Sequence, residues 1–169
     1  MEGDHFMNML DQAMNIESEG MRFYTDLSER TADRGIAGIF GFFAREEKRH
    51  YEIFEAWKKS VVAPDIDDTG LLGKADQVFR NMSAHFKTGG VPAINHGDAY
   101  KKALVLEENS ISFYNKISGG IEDEEQRVVL KLIIQQEQAH IKLINQLMEF
   151  QRHPDEWLEN AEWNHQEEY

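Results

Sequence analysis

The sequence predicts an all-α fold: a four-helix bundle of two antiparallel helical hairpins joined by a long crossover. Three observations lead there. Apolar residues recur at helical spacing in four long stretches. Short breaks join the first stretch to the second and the third to the fourth, which makes each pair antiparallel neighbours. The chain also overlays itself after a shift of 90 residues: Glu17 meets Glu107, Phe23-Tyr24 meets Phe113-Tyr114, Glu47 meets Glu137 and His50 meets His140.

The first helix is expected from about Asp4 to Arg30, with Leu10, Ala13, Met14, Glu17, Met21, Tyr24 and Ser28 on one face. A lone carboxylate thus sits halfway along an apolar stripe. Thr31-Ala32-Asp33-Arg34 is the break, and a second helix runs to about Lys59 through Phe40, Phe43, Ala44, Tyr51 and Phe54. Gly35, Gly38 and Gly41 weaken its start and are expected to let another helix approach closely. The crossover, 61–95, opens with Val61 to Gly73 and holds a short amphipathic helix, Ala75 to Phe86, ended by Gly89-Gly90-Val91-Pro92. His85 and His96 are expected to be surface imidazoles. A third helix follows from about Asp98 to Ser118 through Ala103, Leu104, Glu107, Ile111, Tyr114 and Ile117, and Gly119-Gly120 stops it. The run Glu122 to Glu125 suits the positive end of a fourth helix that extends to about Gln151. A tail helix, 153–163, is expected after His153-Pro154, with Trp157 and Trp163 packed on the bundle or on a partner subunit.

At 169 residues the chain is most simply one domain. It has no cysteine, which excludes disulfides and cysteine-bound zinc or iron centres. Its net charge of −13 disfavours nucleic acid. No apolar run approaches the ~18 residues of a membrane span, and the first residues have no secretory character, so a cytoplasmic location is the expectation.

The chemistry lies in Glu47-x-x-His50 and Glu137-x-x-His140, where a carboxylate and an imidazole share a helix face one turn apart. That spacing is cheap, since Glu2…His5 and Glu162…His165 show it too. The inner two differ by lying inside apolar stripes, where an unpaired charge is costly. The lone Glu precedes its Glu-x-x-His by 30 residues in both halves. A hairpin whose helices rise ~1.5 Å per residue brings the two back to one height. Two such hairpins place four carboxylates and two imidazoles at one level, a ligand set suited to two metal ions. Four carboxylates balance two divalent cations, and oxygen-rich ligation with one imidazole per metal suits iron or manganese.

The segments "AMNIESEGMRFY", "ALVLEENSISFY", "EEKRHYEIF" and "EQAHIKLI" resemble the ferritin-like domain of the rubrerythrins, over nearly all of the chain. The resemblance implies a ferritin-like four-helix bundle holding two iron ions, with manganese or zinc as possible substitutes. It implies that Glu17 and Glu107 are terminal ligands, that Glu47 and Glu137 bridge, and that His50 and His140 bind one metal each. The same six would be the catalytic set, with Tyr24 and Tyr114 donating hydrogen bonds to the ligand carboxylates. It implies reaction with hydrogen peroxide or dioxygen, an external electron-donor protein and a homodimer. Two features depart from the family pattern: Ser110 stands where rubrerythrins carry an extra glutamate, and the cysteine-bound rubredoxin centre is missing. The alternatives are a ferroxidase that handles iron in a cage of many subunits, or a metal-stapled interaction module without catalysis. A DNA-coating miniferritin is disfavoured by the acidic charge.

Overall fold

The computed structural model describes residues 2–66, 71–87 and 97–153. Within them the chain forms five helices: α1 (Glu2–Arg30), α2 (Arg34–Lys59), α3 (Leu71–Lys87), α4 (Gly97–Ser118) and α5 (Glu124–Arg152). α1 packs on α2 and α4 on α5 as two hairpins, which meet through α1 against α4 and α2 against α5. This is the four-helix bundle expected from the repeat.

The turns are built from the same local chemistry in both halves. Asp33 and Asp123, one repeat apart, are extended at the N-caps of α2 and α5. Each accepts a hydrogen bond from the backbone N–H three residues on, Ile36 and Gln126 respectively. Asp123 therefore ends the linker, and only Glu124 and Glu125 of the acidic run lie in the first turn of α5. α2 ends at Ser60, whose left-handed backbone lets its N–H close on the carbonyls of Ala56 and Trp57.

Burial shifts the α1 stripe by a residue in two places. Gly20 and Leu27 lie in the interior, whereas Met14, Met21 and Ser28 sit at its margin. Ser110 on α4 is likewise buried, where Ile111 had been expected. The expectation for the three α2 glycines holds at two of them. A Cβ on Gly35 would fall 2.7 Å from Val78 of α3, and one on Gly41 would fall 3.3 Å from the Ser28 hydroxyl of α1. Gly38 faces open space, so close approach does not explain it.

α3 begins at Leu71, inside the stretch expected to be irregular, and lays Leu71, Ala75 and Phe79 on the bundle beside α2 and α5. There they join one apolar cluster with Tyr24, Phe40, Phe43, Tyr100 and Leu147. A second cluster, with Leu10, Ile53, Phe54, Trp57, Tyr114 and Leu130, fills the opposite end. Between the two lies a polar layer. No helix among the described residues is long and apolar enough to cross a membrane. The side chain of His85, together with His96 and the tail helix with Trp157 and Trp163, falls outside the described residues.

Candidate metal centre

The polar layer consists of Glu17 (α1), Glu47 and His50 (α2), Glu107 (α4), and Glu137 and His140 (α5), each at most 3% exposed. The 30-residue interval does what the helix rise requires, and all six side chains meet at one height. They form two overlapping groups. Glu17, Glu47, His50 and Glu137 offer atoms all within 4.8 Å of one another, and so do Glu47, Glu107, Glu137 and His140. Glu47 and Glu137 belong to both groups.

The imidazoles face inward through Nδ1. In His50 this atom lies 3.4 Å from Glu17 and 3.2 Å from Glu137. In His140 it lies 3.3 Å from Glu47 and 3.2 Å from both Glu107 and Glu137. Each Nε2 points away and is held across the hairpin boundary: His50 donates to the Gln136 amide oxygen at 2.7 Å, and His140 to the Glu46 carboxylate at 2.7 Å. An imidazole N–H facing an amide or carboxylate oxygen donates to it, so Nε2 carries a proton toward Gln136 or Glu46, and Nδ1 is the nitrogen turned to the interior carboxylates.

The tyrosines cross over as well. Tyr24 donates to Glu107 and Tyr114 to Glu17, so each hairpin steadies the lone carboxylate of the other. Burial pushes both phenols well above the ordinary range, and the facing carboxylates, Glu107 for Tyr24 and Glu17 for Tyr114, push them further. Both therefore remain hydrogen-bond donors.

Four carboxylates this close cannot all ionise without cations. Burial raises Glu47 well above the carboxylate range, and Glu137 and Glu17 add repulsion. Burial and then Glu137 push Glu107 up to about 8. Burial also opposes ionisation of Glu137, but the flanking histidines, His50 foremost, outweigh it and hold Glu137 below the usual range. Burial works against a charge on His50 and His140 as well, yet Glu17 beside the first and Glu107 beside the second push both imidazoles up. The layer thus gathers protons where cations would sit.

Even so the layer is not satisfied. Glu17 Oε2, Glu47 Oε1, His50 Nδ1 and both oxygens of Glu137 are buried without a hydrogen bond. Unmet buried acceptors cost about 1–3 kcal/mol each, and these point at one another's midst. A pair of divalent cations would satisfy them. The oxygen-rich donor set with one imidazole on each side fits iron.

A cavity of about 170 Å³ reaches this layer from between α1 and α4, lined by Gly20, Tyr24, Glu47, Glu107 and Ser110, with Glu19 and Asn109 among its other walls. Gly20 keeps it open on the α1 side, since a Cβ there would fall 2.7 Å from Glu47 Oε2. Glu46, Gln136 and Gly20 were not evident as site residues from the sequence. The 90-residue shift does pair Glu46 with Gln136 and Gly20 with Ser110, each beside an expected ligand.

A bundle of two hairpins closing on a buried carboxylate–histidine layer defines a ferritin-like protein. Residues 8–148 match the family model for Rubrerythrin, and the chain belongs to the rubrerythrin family. Among solved structures it is similar to a protein from Thermotoga maritima described as a ferritin-like diiron-carboxylate protein. The two share 24% identity over 87% of this chain and 94% of that one, with a TM-score of 0.61. No curated protein matches the chain.

Proposed function

We propose that the protein is a di-iron oxidoreductase that reduces hydrogen peroxide, or dioxygen, with electrons from an external donor protein. In this reading Glu17, Glu47, His50 and Glu137 would hold one iron and Glu47, Glu107, Glu137 and His140 the other. The observation that carries it is the sharing of Glu47 and Glu137 between two ligand groups, which supports two cation positions side by side. Two ferrous ions held by these six residues would supply the two electrons that hydrogen peroxide takes, with two protons, to give two waters.

The residues of the chain serve that reaction in distinct ways. Tyr24 and Tyr114 hold Glu107 and Glu17 in place from the opposite hairpin. Glu46 and Gln136 fix the ring orientation of His140 and His50. The apolar clusters above and below keep bulk water from the layer. The cavity between α1 and α4 suits an oxidant of a few atoms, because Gly20 and Ser110 leave it narrow but open. These 169 residues hold no cysteine to carry an electron-delivering centre, which supports a donor outside them.

The test is to load the protein anaerobically with ferrous iron, count the iron, and add peroxide with and without a chemical reductant. Two iron ions per chain are expected, with one peroxide consumed per two electrons supplied. Iron-loaded protein that leaves the peroxide concentration unchanged overturns the reading. Uptake of many ions into a cage of subunits would replace it with iron handling.

A further inference from the structure

The two ligand groups are near copies, but what stands behind their histidines is not. His140 donates its Nε2–H to a carboxylate, Glu46, at 2.7 Å, whereas His50 donates to an amide, Gln136, at the same distance. Glu46 and Gln136 occupy equivalent places in the repeat, each one residue before the Glu of its Glu-x-x-His. Each serves the histidine of the opposite hairpin. The rest of the two donor sets matches in pairs: Glu47 and Glu137 shared, one lone Glu held by one Tyr, one inward Nδ1.

We propose that Glu46 makes the two metal positions unequal, so that the position formed by Glu47, Glu107, Glu137 and His140 binds a divalent cation more tightly and fills first. An acceptor behind a ligating imidazole orients the ring and strengthens the nitrogen on the metal side. A carboxylate does this more strongly than an amide, because a charge-assisted hydrogen bond polarises the ring further. Glu46 is 4% exposed, so solvent screens little of this. The carboxylate also adds a formal negative charge near one position and not the other. Glu46 is a positioning residue, since it acts on the metal only through His140.

Further differences surround the histidines: Nδ1 of His140 lies 3.2 Å from Glu107 Oε1 in a hydrogen bond that Nδ1 of His50 lacks. Phe43 stacks on His140 with centroids 4.1 Å apart, and its equivalent in the repeat is Ile133. Ring stacking does not distinguish a carboxylate from an amide, so exchanging only residues 46 and 136 separates the two effects. Substitution behind a metal ligand costs about 10–100-fold in affinity. Glu46→Gln should weaken the His140 position by that factor, and Gln136→Glu should strengthen the His50 position. Glutamine at 46 still offers an oxygen to His140, so the fold is not at stake.

The inference rests on the metal-binding part of the proposed function, and the experiment keeps the two apart. Metal-free protein is crystallised with one equivalent of Mn²⁺ per chain, and anomalous difference density is compared at the two positions. In the unaltered protein the peak beside His140 should dominate, and in Glu46→Gln/Gln136→Glu the peak beside His50 should dominate. Equal peaks, a dominant peak beside His50 in the unaltered protein, or an order that ignores the exchange would overturn the inference while leaving the metal centre standing. Protein that takes up no metal in either form would overturn both.

Discussion

The first hairpin and the second bring the same four side chains to the layer, a lone Glu, a Glu common to both ligand groups, a His and a Tyr, yet they differ one step away. Gly20 faces the layer on α1 where α4 has Ser110, and Glu46 stands on α2 where α5 has Gln136. The groups that meet in the middle are constrained twice, by their own helix and by three others. Just behind them the two halves differ. The repeat thus matches in what touches the layer and differs in what supports it.

The strongest way to break the comparison is to remove a shared member of the layer and then an unshared one. Glu137→Ala takes a donor from both groups and should abolish binding at both positions. Glu107→Ala takes one from the His140 group alone and should leave a cation beside His50. Metal analysis after equilibration with Mn²⁺ and desalting reads this directly. Equal losses from the two variants would show that the centre is not two positions joined through Glu137.

Next in size is the pair Gly20 and Ser110. A methyl at Gly20 would fall 2.7 Å from Glu47 Oε2, so Gly20→Ala must displace that carboxylate. Helix propensity alone would favour alanine by about 1 kcal/mol, but overpacking a buried site costs about 1–3 kcal/mol. Stability should therefore be unchanged or reduced, with metal affinity lowered on the order of tenfold. Ser110 donates to the Leu106 carbonyl of its own helix at 3.0 Å. Ser110→Ala loses that one hydrogen bond and leaves no clash, so it should cost no more than about 1 kcal/mol. Calorimetric titration with Mn²⁺ and thermal unfolding would show whether the two sides of the cavity differ as stated.

The contrast also marks how far the sequence can be read. The hairpins and the convergence of Glu17, Glu47, His50, Glu107, Glu137 and His140 follow from one-dimensional facts, a 3.6-residue stripe and equal 30-residue intervals, because an α-helix converts residue number directly into height. Glu46 resists that reading: one residue from Glu47 it is turned about 100° around the helix, and its partner His140 lies on another hairpin. Gly20 resists it because what matters is Glu47 on the neighbouring helix, not anything on α1. The early start of α3 was hidden because Leu71 and Ala75 gain their value only when laid against α2 and α5. Relations along one helix were legible, and relations between helices needed the packed bundle.

The smallest difference should be that between the two caps, and it tests whether the halves are equivalent in their frame as well as in their donors. Asp33 and Asp123 make the same 2.9 Å bond to the N–H three residues on, so alanine at either should cost about 1 kcal/mol. Their surroundings differ. α5 carries Glu124 and Glu125 in its first turn, which continue to face the positive end of the helix when Asp123 is gone, whereas α2 has no acidic residue in its first turn. Asp33 is also the less exposed of the two, so its charge is less screened. Asp33→Ala should accordingly cost more than Asp123→Ala by a few tenths of a kcal/mol, the size of one surface helix-dipole interaction. For a chain of this length a loss of 1 kcal/mol moves Tm by about 2–4 °C, so thermal unfolding of the two variants side by side resolves the order. The reverse order would mean that Glu124 and Glu125 in the first turn of α5 add nothing once its cap is removed.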